Sequence, residues 1–366
     1  MKRVLSKAQA PQDASFSELL IAWQKRHGRH QLPGQQTRDA YRIWLSEIML
    51  QQTQVATVIP YYQRFLQRFP DVAVLAAAPV EDVMSLWAGL GYYTRARNLH
   101  RCAQAVVELH GGRFPSDVEQ LAALPGIGQS TAAAIAAFAY GARAAILDGN
   151  VKRVFCRVFG IDGFPGQSAV EKQLWQRASA LLPERDIEAY TQGLMDLGAT
   201  VCTRTKPRCG DCPMQSRCVA HETGRTAELP ARKPKKATPE KSTVMLVVMH
   251  EGEILLEQRP PSGIWGGLQS LPELDRLGGD ASTDDLYAEV RAALADIGEV
   301  NDIETLPEFM HAFTHYKLFV TPRIVRLARR FSMPAQDSFL WKGLDTLDGA
   351  ALPSPVRKLL DGLMIR

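Results

Sequence analysis

Residues 124–159 read LPGIGQSTAAAIAAFAYGARAAILDGNVKRVFCRVF, and this run decides the fold of the first part of the chain. Pro125, Gly126, Ile127 and Gly128 form a turn, an alanine-rich segment follows that should be helical, and Gly141 breaks it. Asp148 then precedes a second helical run. Two glycines two apart permit a tight turn and leave the amides of Gly126, Gly128 and the following helix N-terminus pointing outward, where they can bind an anion such as phosphate. The bland readings stand beside these: a simple turn between helices, and an aspartate that caps a helix.

Moving outward, 366 residues leave room for two domains. A hydrophobic share of 46% and a charged share of 22% are ordinary for globular protein. Net charge +4 and a pI near 8.7 permit a polyanionic partner without requiring one. There is no signal-peptide pattern and no apolar run long enough to span a bilayer, so the expected compartment is the cytoplasm, with nucleoid association if the source is bacterial. In that reducing setting the six cysteines read as metal ligands or buried thiols.

Residues before about Ser15 read as a polar, basic tail, and Phe16 to His27 as a short helix. A long helical region is expected from Tyr41 onward, with Trp44, Ile48, Val55 and Ile59 as its core-facing stripe. Glu47 lies at the margin of that stripe, where apolar surroundings would raise its pKa and suit it to donate a proton. As a surface glutamate beside a core face it would do neither. After a short helical pair over 71–87, Gly89 and Gly91 bracket a turn before Tyr92 and Tyr93, with Arg95 and Arg97 close by. An exposed tyrosine beside cations can wedge into a base stack.

Cys202, Cys209, Cys212 and Cys218 give C-x6-C-x2-C-x5-C, four thiolates able to close around tetrahedral zinc or an iron–sulfur cluster. A single close C-x2-C pair leans towards iron–sulfur. Arg204, Lys206 and Arg208 sit between the first two ligands, placed to face phosphate. Cys102 and Cys156 read as buried thiols. From Gly224 to Ser242 proline and charge dominate, with Arg225, Pro230, Arg232, Lys233 and Pro239, a composition that argues against a packed element. Beyond it, two β-rich runs flank His250, Glu251 and Gly252 and read as a hairpin.

SEIMLQQTQV from Ser46, WAGLGYYTRARNLH from Trp87 and LDGNVKRV from Leu147 resemble, in order, the signatures of the MutY-type adenine DNA glycosylases. The resemblance covers the first 220 residues. RPPSGIWGGLQSLP from Arg259 resembles the opening of a Nudix fold, without the acid-rich helix that holds magnesium, since only Glu273 and Asp275 follow nearby. The resemblance implies a multidomain protein. An all-α helix-hairpin-helix glycosylase domain would span 1–224, with the hairpin about 121–141 and a [4Fe-4S] loop over 202–218. A basic linker would follow over 225–241, and an α+β Nudix-like C-terminal domain over 242–366. It implies that Glu47 protonates adenine and Asp148 stabilises the sugar cation, with Asn150 as a plausible orienter. It implies DNA contacts from Gln52, Tyr92, Gly126, Gly128, Ser130, Arg204 and Lys206, with Gln52 and Tyr92 as wedges. Phe313, Thr314 and His315 stand where the family has its Phe-Ser-His loop for 8-oxoguanine. The implied partner is duplex DNA with adenine opposite 8-oxoguanine or guanine, and the implied state a monomer.

Two positions set this chain apart. Endonuclease III-type enzymes, similar throughout the helical part, carry at the place of Ser130 a lysine that makes a Schiff base; serine has no amine for that. Lys152 is the nearest alternative amine in sequence. Gly34 stands where the resembling glycosylases have tryptophan after Leu-Pro, and an aromatic face beside the base would be missing.

Overall fold

The computed structural model describes residues 15–233, 238–260, 263–275, 283–313, 315–332 and 338–364. The expected tail before Ser15 and the Thr314 position lie outside them. Contacts divide the chain into two compact units, one built from residues up to 77 with 98–235, the other from 78–97 with 236–366.

The first unit is helical. α1 (Phe16–His27) starts at a capping box in which Ser15 and Glu18 satisfy each other's backbone amides. It buries Phe16, Leu20 and Trp23, and meets α11 (Ile187–Asp196) closely because Gly193 has no side chain: a Cβ there would lie 3.1 Å from Leu20. The long helical region expected from Tyr41 consists of two helices, α2 (Ala40–Leu50) and α3 (Val55–Arg68). Gln52 takes φ +55°, a left-handed conformation that cannot continue a right-handed helix. The stripe therefore fails after Ile48: Ile59 is exposed, and α3 buries Val58 and Phe65 instead.

α4 (Val72–Ala77) closes this part, and α6 (Thr94–His110) re-enters the unit from its second turn. α7 (Val118–Ala123) and α8 (Gln129–Tyr140) form the hairpin, followed by α9 (Gly149–Val158) and α10 (Ser168–Ala180). The core packs Val154 and Phe155 of α9 with Leu174 of α10 and Tyr190, Leu194 and Leu197 around the end of α11. A π-helical turn, Leu197–Val201, continues α11 to the cysteine loop, which ends in α12 (Val219–Glu222). The chain does not loosen at Gly224, as composition implies. Arg225 pairs with Asp162 and Glu228, Leu229 is buried, and its carbonyl accepts from buried Arg157 at 2.8 Å. One leucine and one carbonyl that serves an otherwise costly buried guanidinium outweigh the surrounding prolines and charges.

The second unit is a mixed sheet with strand order β3-β2-β1-β7-β5, where β4 and β6 pair with β1 and β7, and β8 with β2. β1 (Glu240–His250) runs parallel to β7 (Lys317–Arg330), from Glu240 opposite Lys317 to Met249 opposite Arg326. Its run Val244–Met249 is apolar without alternation because the strand's centre is buried on both faces. The expected hairpin joins β1 to β2 (Glu253–Gln258), with Glu251 and Gly252 both at positive φ. β3 (Gln269–Ser270), β4 (Glu273–Asp275), β5 (Gly298–Thr305), β6 (Phe309–Ala312) and β8 (Phe339–Gly343) complete the sheet. α13 (Thr283–Ala293) packs Val290 on it, with Leu294 just beyond, and α14 (Ser354–Met364) ends the chain. α5 (Val80–Trp87) and the Gly89–Gly91 turn belong to this unit: Arg97 donates to the Gly266 carbonyl. Among the described residues no helix is long and apolar enough to cross a membrane.

Candidate functional site

The site begins at the hairpin. Gly126 has φ +78° and sits so close to Asn98 that a Cβ would lie 2.7 Å from the asparagine's own. Gly128 caps α8 without a side chain, so the first amides of the helix remain available to an anion. Gly141 ends the helix in the left-handed conformation, with the amide of Ala142 reaching back to Ala136. The return segment is then pinned by Ser130, whose hydroxyl accepts from the Leu147 amide at 3.0 Å. Ser130 therefore fixes the cavity wall with its side chain.

That pin delivers Asp148 to the N-cap of α9, where its carboxylate accepts from the Val151 amide at 2.8 Å and from Asn150 at 3.2 Å. Glu47 arrives from α2. Both carboxyls line one cavity of about 510 Å³, with Asn150, Ser130, Gln192, Arg29 and residues 32–37. The two acids that sequence places a hundred residues apart are thus brought together. Glu47 is half-buried only because its side chain opens on the cavity, and protein encloses it elsewhere. Burial first, and the negative charge of Asp148 second, push its pKa up to about 7.

Several residues here escaped sequence reasoning. Arg153 donates to Asn150 Oδ1 at 2.8 Å, to the Gly198 carbonyl at 2.7 Å and to the Cys202 carbonyl at 2.8 Å, tying Asn150 to the cysteine loop. Gly198, in the π turn, lies so near Asn150 that a Cβ would come within 2.5 Å of it. Asp196, fully buried, accepts from Arg29 and from Gln192 on the cavity wall. The spacing of Arg153 three after Asn150 was the one available signal, as two positions on one helix face.

Gln52 and Tyr92 share an unusual trait. Both are exposed non-glycine residues at positive φ, +55° and +50°, a conformation that costs on the order of 1–3 kcal/mol and is kept where surroundings enforce it. Tyr92 belongs to the second unit, where Arg95 lies over its ring and that of Trp87; burial lowers the pKa of Arg95 to about 10. Arg204 and Lys206 are exposed on the cysteine loop. Phe313, half-buried after β6, stacks on Tyr316 at 4.5 Å and meets His311 edge-on at 4.6 Å, while His315 is exposed.

Cys202, Cys209, Cys212 and Cys218 line one small apolar space. All are free thiols. Burial pushes Cys212 up to about 12, opposed by the Met214 amide, and the charges of the other three cysteines raise it further, which places all four within one another's field. Arg157 donates to Cys202 Sγ at 3.3 Å. Four thiols around one space, with a cation bonded to a sulfur, fit a thiolate-held centre that carries net negative charge. Among the described residues no three His, Cys, Asp or Glu side chains converge on a single ion position. Cys102 and Cys156 are buried, as expected.

The family described as HhH-GPD superfamily base excision DNA repair protein matches residues 45–180, and the NUDIX domain family matches 243–362. The chain is similar to the adenine DNA glycosylase of Buchnera aphidicola subsp. Acyrthosiphon pisum (strain APS), 34% identical over 351 residues that cover 94% of this chain and 97% of the relative. It is 36% identical to that of Rattus norvegicus, over 88% of this chain and 71% of the relative. A thermostable thymine-DNA glycosylase of known structure superposes with a TM-score of 0.52 at 30% identity, over 57% of this chain and 95% of that one. With two carboxyls in one cavity, and a relative 34% identical that is aligned over 94% of this chain and 97% of its own length, the chain belongs to the adenine DNA glycosylase family.

Proposed function

We propose that this glycosylase hydrolyses the N-glycosidic bond of adenine opposite 8-oxoguanine or guanine in duplex DNA, without cutting the strand. The observation that carries the reading is the shared cavity in which Asp148 helps to keep Glu47 protonated near neutral pH. A base in a duplex is out of reach of such a cavity, so the nucleotide must be extruded. The hairpin amides, Arg204 and Lys206 would hold the backbone, and Gln52 and Tyr92 would fill the vacated stack. Glu47 gives its proton to N7 as the C1′–N9 electron pair leaves with the base. Asp148, oriented by Asn150, faces the oxocarbenium carbon until water adds there and gives its proton to the Glu47 carboxylate left by the first step. Opposite protonation states of the two acids divide these tasks.

Strand cleavage by a lysine route is disfavoured by position. The Ser130 hydroxyl is committed to the Leu147 amide, and Lys152 is held by Glu171 at 2.5 Å. Cys202, Cys209, Cys212 and Cys218 would hold a [4Fe-4S] cluster, which supplies a rigid, DNA-positioning loop. Phe313, Thr314 and His315 would read the 8-oxoguanine. The protein would act as a cytoplasmic monomer.

The test is single-turnover release from duplexes with adenine opposite 8-oxoguanine, guanine, cytosine or thymine, followed by alkali, with borohydride added to parallel reactions on oxidised-pyrimidine DNA. Alkali-dependent breaks confined to the first two duplexes are expected. A borohydride-trapped adduct, or strand breaks without alkali, would assign the chain to the bifunctional endonuclease III-like class instead.

A further inference from the structure

Gly34 is in the left-handed region, φ +76°, and lies on the cavity wall. A Cβ at this position would sit 2.7 Å from Ser46 Cβ, 3.1 Å from Ser46 Oγ and 3.3 Å from the Arg42 carbonyl. Ser46 is buried, one residue ahead of Glu47, and donates from its hydroxyl to the Pro33 carbonyl at 2.5 Å. Tyr62 closes the same corner: its hydroxyl donates to the Arg42 carbonyl at 3.2 Å and accepts from the Gly34 amide. The rest of the segment is tied to itself. Gln35 donates to the Arg29 carbonyl at 3.1 Å and accepts from the Leu32 amide at 2.8 Å, and Gln36, also at positive φ, donates to the His30 carbonyl at 3.2 Å.

Two consequences follow from this packing. A side chain at position 34 meets both backbone strain and α2, so the segment can rest on α2 only with glycine there. The wall it offers the cavity carries no aromatic ring: among the described lining residues Phe138 is the one aromatic.

We propose that Gly34 is a positioning residue: it seats the Arg29–Thr37 segment on Ser46, which shuts Glu47 away from bulk water. The proposal rests on the reading of Glu47 as the proton donor. Shutting the segment contributes the burial that raises Glu47. The charged groups that face the cavity with it are Asp148 from the cap of α9, Arg29 paired to Asp196, and Glu188 of α11 paired to Arg38. If the segment lifts, water enters and the Glu47 pKa moves down towards its ordinary value near 4.5.

The experiment measures single-turnover adenine release from a duplex with adenine opposite 8-oxoguanine, from pH 5 to 9, for the full chain, Gly34→Ala, Gly34→Trp and Gly34→Ala with Ser46→Gly. Binding of a duplex with an abasic analogue is measured alongside. Both single variants should release adenine roughly 10²-fold more slowly at pH 7.5 and within a few-fold of the parent at pH 5, because the falling limb moves to lower pH. Duplex binding should persist, and Ser46→Gly should restore part of the Gly34→Ala loss. A Gly34→Trp protein as fast as the parent, or faster, with the same falling limb, would overturn the proposal, as would a deficit of equal size at every pH. A parent chain that releases no adenine at any pH would instead sink the functional reading beneath it.

Discussion

The two sides of the cavity treat a carboxyl in opposite ways. On the α2 side, Glu47 projects from within a helix, and among the described residues no donor reaches its carboxyl; burial and a neighbouring negative charge favour the proton. On the α9 side, Asp148 stands at a helix N-terminus, met by the Val151 amide and the Asn150 side chain. Burial and a neighbouring charge act on one carboxyl, while backbone position sets the partners of both: mid-helix positions have spent their amides, whereas a first turn has amides to give.

The contrast is broken most completely by removing the proton. Glu47→Gln should slow adenine release by about 10²–10⁴-fold while duplex binding persists, measured by single-turnover kinetics and gel shift. Loss of binding in step with activity would make Glu47 structural. On the other side, Asp148→Asn keeps a capping oxygen but removes the charge. Release should fall roughly 10²–10³-fold, and the falling limb of its pH profile should move to lower pH because one of the two causes that raise Glu47 is gone. Near-normal turnover would reduce Asp148 to a helix cap.

A smaller effect sharpens the same comparison. Asn150→Ala withdraws one donor from Asp148 and the acceptor of Arg153. A charge-assisted bond of about 1.5–3 kcal/mol, only part of it expressed in the transition state, predicts a loss on the order of 10-fold. Kinetics matching the parent would place Asn150 outside the machinery. The smallest effect is on stability. Because the folded pKa of Glu47 is raised, between about pH 4.5 and 7 the native state keeps a proton that the unfolded chain has released. Stability therefore falls as pH rises through that window. Glu47→Gln should melt a few degrees above the parent at pH 8, with the gain vanishing near pH 4.5; a variant less stable at pH 8 would contradict the burial of a reluctant charge.

How far these features were legible depends on whether a residue type or a spatial neighbour carries them. The first helix was readable from its local apolar spacing, and the hairpin because glycine suits the turns at Gly126 and Gly141. The cysteine spacing and the Glu251–Gly252 turn are likewise local. The break between α2 and α3 was not readable, since a left-handed glutamine leaves no trace in a periodic apolar pattern. Nor was the packed start of the linker, which depends on Arg157 meeting a carbonyl 72 residues away. Sequence named Glu47 and Asp148 through resemblance, and their meeting in one cavity came from the fold. Ser130 shows the limit most clearly: its identity was read as the lack of an amine, while its use, fixing the segment that carries Asp148, required the Leu147 amide.

The central claim is that Glu47 keeps its proton near neutral pH because protein and Asp148 both oppose its charge. Titration of carboxyl carbon-13 in glutamate-labelled protein, with the Glu47→Gln spectrum subtracted, reads this without substrate. A midpoint near 7 that falls in Asp148→Asn is the predicted result. A midpoint near 4.5, unmoved by that substitution, would contradict it.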